Sequence, residues 1–235
     1  MLKTWCIFKR ELKAYFISPI AYVVAGAFLL LSGLAFNYYL QLKYALMAPT
    51  YGFMISALMF IVPFLTMRLL AEERKRQTMA LLFTSPISNT SIVVGKFLAC
   101  YLFVILMIAI TLFYPWILQK FGPLDFGPVK SGLLGLVLMA GCYVGIGLFA
   151  SSVCSETVIA GVLGIVLIVT LHIIEATKAW FPDNVAAVVE YVSIYRPQQD
   201  LLQGLVNTKD IVFYVSFMVL TIFASIRMLE ANRWR

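Results

Sequence analysis

Six stretches of the chain run without a charged residue in their interior: about Ile20 to Tyr39, Phe53 to Met67, Phe97 to Leu118, Leu133 to Val153, Val158 to Ile174 and Ile211 to Ile226. A run of about 20 apolar residues is long enough to cross a bilayer as a helix, and a charge at its centre costs roughly 2.5–3.5 kcal/mol. The pattern therefore predicts six transmembrane helices joined by polar loops. The second and fifth stretches are short and are expected to extend into flanking residues. Pro63 and Pro115 predict kinks in the second span and at the end of the third, with neighbouring helices satisfying the freed carbonyls.

Ahead of the first span, Leu2, Trp5, Phe8, Leu12 and Phe16 fall at helical spacing, with Lys3, Lys9, Arg10 and Lys13 largely off that stripe. This is the pattern of an amphipathic helix lying in the membrane interface; the alternative is a polar extension of the first span. Ser18-Pro19 ends the segment, because a residue preceding proline is pushed out of the helical region.

Composition agrees with the pattern. Apolar residues make up 62% of the 235 and charged residues 12%, with a mean hydropathy of +0.94, which excludes an ordinary water-soluble fold. The first apolar stretch is too long for the cleaved core of a signal peptide, so it is expected to remain as a membrane helix. The formal charge of +7 lies between the apolar runs and reads as topology, with no nucleic-acid partner expected. Placing the N-terminus inside puts Lys3, Lys9, Arg10, Lys13, Arg68, Arg74, Lys75, Arg76, Lys96, Arg227, Arg233 and Arg235 in the cytoplasm, twelve of the 18 basic residues. Both termini are then cytoplasmic.

Candidate chemistry is sparse. Cys6, Cys100, Cys142 and Cys154 form no CxxC and have no histidine at ligand spacing, so no metal site is expected. The chain has no GxxxxGK[ST] loop for a nucleotide and no GxSxG elbow, and no catalytic constellation is expected. The single histidine, His172, precedes Glu175 by one helical turn; it reads as a packed or interfacial residue or, with Glu175, as a substrate or proton site. An enzyme built on His172 and an ion-coupled secondary transporter are the weaker readings, the latter because midplane charges and internal repeats are missing from the sequence. In the fourth span Gly141 and Gly145 form a GxxxG pair that allows close helix approach, within the chain or between subunits. Between the fifth and sixth spans, residues 175–210 form a polar outer segment with Pro182 and Pro197, expected to contain short re-entrant or surface helices. Its Tyr191 and Tyr195 read as part of an aromatic belt or, with His172 and Glu175, of an outer gate or substrate path.

The most marked feature is the loop between the second and third spans. It opens with a charge cluster from Arg68 to Arg76, continues with Met79, Leu82 and Phe83 at helical spacing, and stops at Ser85-Pro86. A short amphipathic helix on the inner face is predicted, the alternative being a charged loop that only fixes topology. The stretch Glu72-Glu73, Gln77-Thr78, Leu81-Leu82, Thr84-Ser85-Pro86-Ile87 and Gly95-Lys96 resembles the signature of the ABC-2 type permease family. So do Lys9-Arg10-Glu11-Leu12 through Tyr22, the run from Asp200 and Leu205 to Tyr214, and the tail Leu229-Glu230 to Trp234. Within that family the chain looks most similar to the gliding-motility-associated GldF-like permeases.

The resemblance implies a single all-α polytopic membrane domain over residues 1–235, in the inner membrane of a bacterium. Residues 1–17 would be the interfacial connecting helix, with Trp5, Phe8, Arg10, Glu11, Leu12 and Phe16. Residues 72–86 would be the cytoplasmic coupling helix, docking on an ATPase through Glu72, Glu73, Arg74, Thr78, Leu81 and Leu82 and ending at Pro86. Implied partners are two ABC ATPase subunits, a second permease copy or paralogue, the lipid bilayer and an auxiliary envelope subunit. No cofactor is expected on this chain; ATP and Mg2+ would sit on the ATPase. The implied function is export of an unidentified substrate, or alternatively the passing of ATP-driven motion to envelope machinery without transport.

Overall fold

The computed structural model describes residues 2–42, 46–75, 88–120, 125–176 and 193–233. Among them the chain is all helical: α1 (Leu2–Ile17), α2 (Pro19–Gln41), α3 (Ala48–Thr66), α4 (Ala71–Lys75), α5 (Asn89–Ile110), α6 (Phe113–Leu118), α7 (Phe126–Val153), α8 (Thr157–Ala176), α9 (Arg196–Leu202) and α10 (Thr208–Arg233). Six segments are long and apolar enough to cross a membrane: α2, α3 with α4, α5 with α6, α7, α8 and α10. The protein is therefore a polytopic helical membrane protein.

Local sequence explains where the helices start. Pro19 occupies the first turn of α2, where its missing N–H has no intrahelical partner to lose, and Ser18 before it is extended. Ser88 caps α5 by accepting from the Ser91 N–H at 3.3 Å, and Asp125 caps α7 by accepting from the Gly127 N–H at 2.9 Å. The third span is broken at Thr111-Leu112, four residues before Pro115, which cannot donate to the Thr111 carbonyl and crowds it. After α9, Gly204 adopts a positive φ of 96° while the Leu205 N–H reaches the Asp200 carbonyl at 3.0 Å. That Schellman turn redirects the chain into α10.

The third span departs from the apolar pattern. Its helix begins at Asn89 rather than at Phe97, so Lys96 lies inside the helix, about 10 Å beyond its start at 1.5 Å per residue. The apolar run misses these turns because they contain Asn89, Thr90, Ser91 and Lys96.

The helix α7 is the hub, packing against α3, α5, α8, α9 and α10. Its glycines make this possible. Side chains of α10 lie over the GxxxG pair, Met218 against Gly141 and Thr221 against Gly145, and Thr66 of α3 lies against Gly147. By contrast α2, α8 and α10 expose apolar side chains such as Leu30, Leu34, Val158, Val162, Val219 and Leu220, as lipid-facing helices must.

Candidate functional site

At one end of the bundle, α1 lies across α5 on a stripe that hydropathy alone does not mark. Ile7 sits against Gly95 so closely that an added Cβ would lie 3.0 Å away. Tyr15 stacks on Phe103 with centroids 5.2 Å apart and donates its hydroxyl to the Leu65 carbonyl at 3.0 Å. Between these two contacts Glu11 faces Lys96. The apolar stripe read from sequence lies mostly beside this face: Trp5 and Phe16 are exposed and Phe8 and Leu12 half-buried, with Phe16 meeting the Phe103 ring edge-on at 5.9 Å between centroids.

Lys96 is only 1% exposed. A buried ammonium is strongly disfavoured unless its charge is matched and hydrogen-bonded, and here two carboxylates supply the match. Glu11 Oε1 lies 3.1 Å and Glu73 Oε1 2.9 Å from Lys96 Nζ. Arg10 Nη2 closes the group at 2.7 Å from Glu11 and 3.3 Å from Glu73. Two cations and two anions from α1, α4 and α5 are thus brought together. Burial pushes the Glu11 carboxyl up, but Lys96 and Arg10 outweigh it and hold its pKa below the ordinary 4.5.

The sign of the pH dependence follows. A depressed carboxylate pKa contributes stability that is present above the unfolded value and is lost as pH falls through the folded one. The seating of α1 on α5 should therefore hold from neutral pH down to about pH 4.5 and weaken below it, with Glu11→Gln flattening that acid limb. Hydrogen exchange of α1 amides across the pH range, corrected for intrinsic rates, checks this.

A second tie holds the other side of α4. Ser151, at the end of α7, accepts from the Leu70 and Ala71 N–H groups at 3.0 Å each and donates to the Met67 carbonyl at 3.1 Å. One hydroxyl thereby satisfies three backbone groups of the turn between α3 and α4. Arg74 donates to the Val153 carbonyl at 3.3 Å, and Lys75 pairs with Glu156 at 2.7 Å. Ser151→Ala should destabilise the protein by about 1–3 kcal/mol, since buried donors would lose their acceptor; thermal melting in detergent reads this directly.

The residues singled out from sequence fall into separate groups. Glu73, Arg10 and Glu11 meet in the ion cluster, Glu72 and Arg74 share α4 with Glu73, and Gly141 and Gly145 receive α10. Thr78, Leu81, Leu82 and Pro86, with most of the 72–86 segment, lie outside the described residues, as does Tyr191. Toward the opposite end, His172 Nδ1–H donates to the Ile168 carbonyl at 3.1 Å, leaving Nε2 to accept from the Tyr143 hydroxyl at 3.0 Å. Tyr195 meets the His172 ring edge-on with centroids 5.9 Å apart. Glu175 contributes its backbone to α8. Sequence reasoning named Lys96 only within the Gly95-Lys96 motif, without its burial or its carboxylate partners, and did not mark Ser151. The available signal for Lys96 was a lone lysine two turns beyond a serine cap.

Comparison with known families supplies the identity. The chain matches the model described as ABC-2 family transporter protein over residues 31–226, well over half its length. The chain belongs to the ABC-2 transporter family. A search of curated proteins finds no significant match. ABC-2 proteins are membrane permease subunits of ABC transporters, and ATP hydrolysis belongs to partner ATPase subunits. In this ABC-2 permease, Glu73, Lys96 and Ser151 lie within the matched range, whereas Arg10 and Glu11 precede it.

Proposed function

We propose that this ABC-2 permease exports a substrate across a bacterial inner membrane, receiving force from two ATPase subunits through the segment that begins at α4. The observation that carries this reading is the ion cluster, because it binds the start of that segment to both α1 and α5. Ser151 binds the same turn to α7. A displacement of α4 is thus delivered to α3 through the chain, to α5 through Lys96, to α1 through Glu11 and Arg10, and to α7 through Ser151. Packed elements with ionic and hydrogen-bonded ties move as units.

In this reading the α1 end is cytoplasmic, as its basic residues favour, and both termini lie on that side. Residues 1–17 serve as the connecting helix, 72–86 as the coupling helix and 175–210 as the outer segment. ATP and Mg2+ are held by the ATPase. A second copy or paralogue completes the pore, and the GldF-like resemblance supports a link to envelope machinery. Glu73 acts inside the cluster as a transmitter; the docking surface proper falls to Glu72, Arg74, Thr78, Leu81 and Leu82.

Co-expression with an ABC ATPase subunit encoded beside the permease, followed by affinity purification through the permease, is the test. The wild-type chain should retain the ATPase, Glu72→Lys should lower retention several-fold with membrane insertion unchanged, and Glu73→Gln should keep retention but lower substrate-dependent ATP turnover. Failure of the wild-type pair to co-purify, or substrate movement by the permease alone in vesicles, would overturn the reading. A substrate-independent ATPase cycle in the intact complex would replace export by force transmission alone.

A further inference from the structure

Between α1 and α5 runs an open groove of about 500 Å³, within the size range of ligand sites. Trp5 and Phe8 form one wall and Leu98, Tyr101, Leu102 and Ile105 the other. Trp5 and Phe8 stack at 5.0 Å, so that wall is ordered by its own contact. The hydroxyl of Tyr101 is already used, donating to the Val137 carbonyl at 3.2 Å. The walls are thus hydrocarbon, and the occupant they suit is an alkyl chain.

The groove descends along α5 from Leu98 to Ile105, about 10 Å at 1.5 Å per residue. That is the path of an acyl chain leaving the interface. Beside it, exposed cations of α1 select the headgroup. Lys9 holds its ammonium 5.3 Å from the centroid of the Trp5 ring, a cation–π contact that keeps the charge at the rim. Lys13 follows one turn later along the same edge of the helix, and both lysines are exposed. Neither has a carboxylate within ion-pair distance among the described residues, in contrast to Arg10 on the other side of α1. Two cations without a carboxylate partner beside a hydrocarbon groove complement an anionic amphiphile.

We propose that the α1–α5 groove is a binding site for one anionic glycerophospholipid, its acyl chain between Trp5 and Leu102 and its phosphate against Lys9 and Lys13. The site takes the lipid from the leaflet that α1 contacts, so its assignment to the inner leaflet rests on the permease orientation above. Such a lipid wedges α1 from the side opposite the ion cluster and helps hold its angle to α5.

The test uses the full chain with Trp116, Trp180 and Trp234 replaced by phenylalanine, so that Trp5 alone reports. It is reconstituted with dibrominated phosphatidylglycerol or dibrominated phosphatidylcholine of identical acyl chains. The brominated anionic lipid should quench Trp5 at lower mole fraction than the zwitterionic one, by about fivefold for each lysine engaged. Lys9→Gln with Lys13→Gln should abolish the difference while leaving quenching by phosphatidylcholine in place, and Leu102→Phe should reduce quenching by both. Excess soluble glycerol phosphate should not relieve it.

Equal quenching by the two lipids overturns the proposal. So does a preference that survives both lysine substitutions, and so does relief by glycerol phosphate, which would place a headgroup site there without a chain. If the tryptophan-depleted chain does not fold, native mass spectrometry of the unaltered chain with unbrominated lipids gives the same comparison through the mass of the retained lipid. No ATPase is present in either measurement, so a negative outcome here and a failed co-purification are separate results.

Discussion

Lys96→Met should be among the most damaging single substitutions in the protein, lowering stability by about 3–5 kcal/mol, the range for breaking a buried ion pair by removing one partner. Methionine fills nearly the same space, so packing is not the cause. The loss would remove the buried ammonium that Glu11 and Glu73 both face, in a site where Lys96 itself is 1% exposed. A second substitution separates charge from shape. Adding Glu73→Gln to Lys96→Met removes one of the two carboxylates that faced the lost ammonium and leaves the 2.7 Å Arg10–Glu11 pair intact, so the double variant should recover much of the lost stability. The measurement is the thermal unfolding midpoint in detergent for the wild type, both single variants and the double. Additive losses would show that the four groups are not a unit. Under the proposed function, the same Lys96→Met permease, assembled with its ATPase at a temperature where it stays folded, should hydrolyse ATP with weakened dependence on substrate.

How much of this was legible in the sequence divides along a physical line. The six spans could be read because lipid admits only helices whose exposed surface is apolar, and that demand is written residue by residue. The helix start at Ser88 could not be read the same way, since a capping serine and the polar turn after it carry no hydropathy signal. The burial of Lys96 escaped for a related reason: it is made tolerable by Glu11 and Glu73, 85 and 23 positions away in the chain. On α1 the marked stripe of Trp5, Leu12 and Phe16 is left largely outside the protein core. In a soluble protein the greasiest face of a helix packs on the core, whereas at a membrane surface the solvent competes for it. The protein-facing stripe of Ile7, Glu11 and Tyr15 is mixed in character and gains its meaning only from Gly95, Lys96 and Phe103 opposite. The Gly141–Gly145 pair announced close approach, but its partner could be named only once α10 was seen against it.

Gly145→Ala should separate α7 from α10. A Cβ at that position meets Thr221 Oγ1 inside van der Waals contact and lies 3.1 Å from Thr221 Cβ. The hydroxyl cannot swing away freely, because it donates to the Met218 carbonyl at 2.9 Å and the residue is buried. Overpacking of this kind costs about 1–3 kcal/mol. The site also sits on the most buried span, which packs against α3, α4, α5, α8, α9 and α10, so the strain has little room to relax. Removing the closest clashing atom, Thr221 Oγ1, tests the cause. Thr221→Ala alone should be mild, as it deletes a hydroxyl that donates within its own helix, and the pair Gly145→Ala with Thr221→Ala should melt much closer to Thr221→Ala than Gly145→Ala alone does. If Gly145→Ala instead leaves the monomer's melting unchanged and lowers self-association in a detergent sedimentation experiment, the glycine serves a contact between subunits, and the α7–α10 packing is not what it protects. Recovery in the double variant would exclude that outcome, because Thr221 lies on the same chain and its removal would have no reason to repair a contact with another.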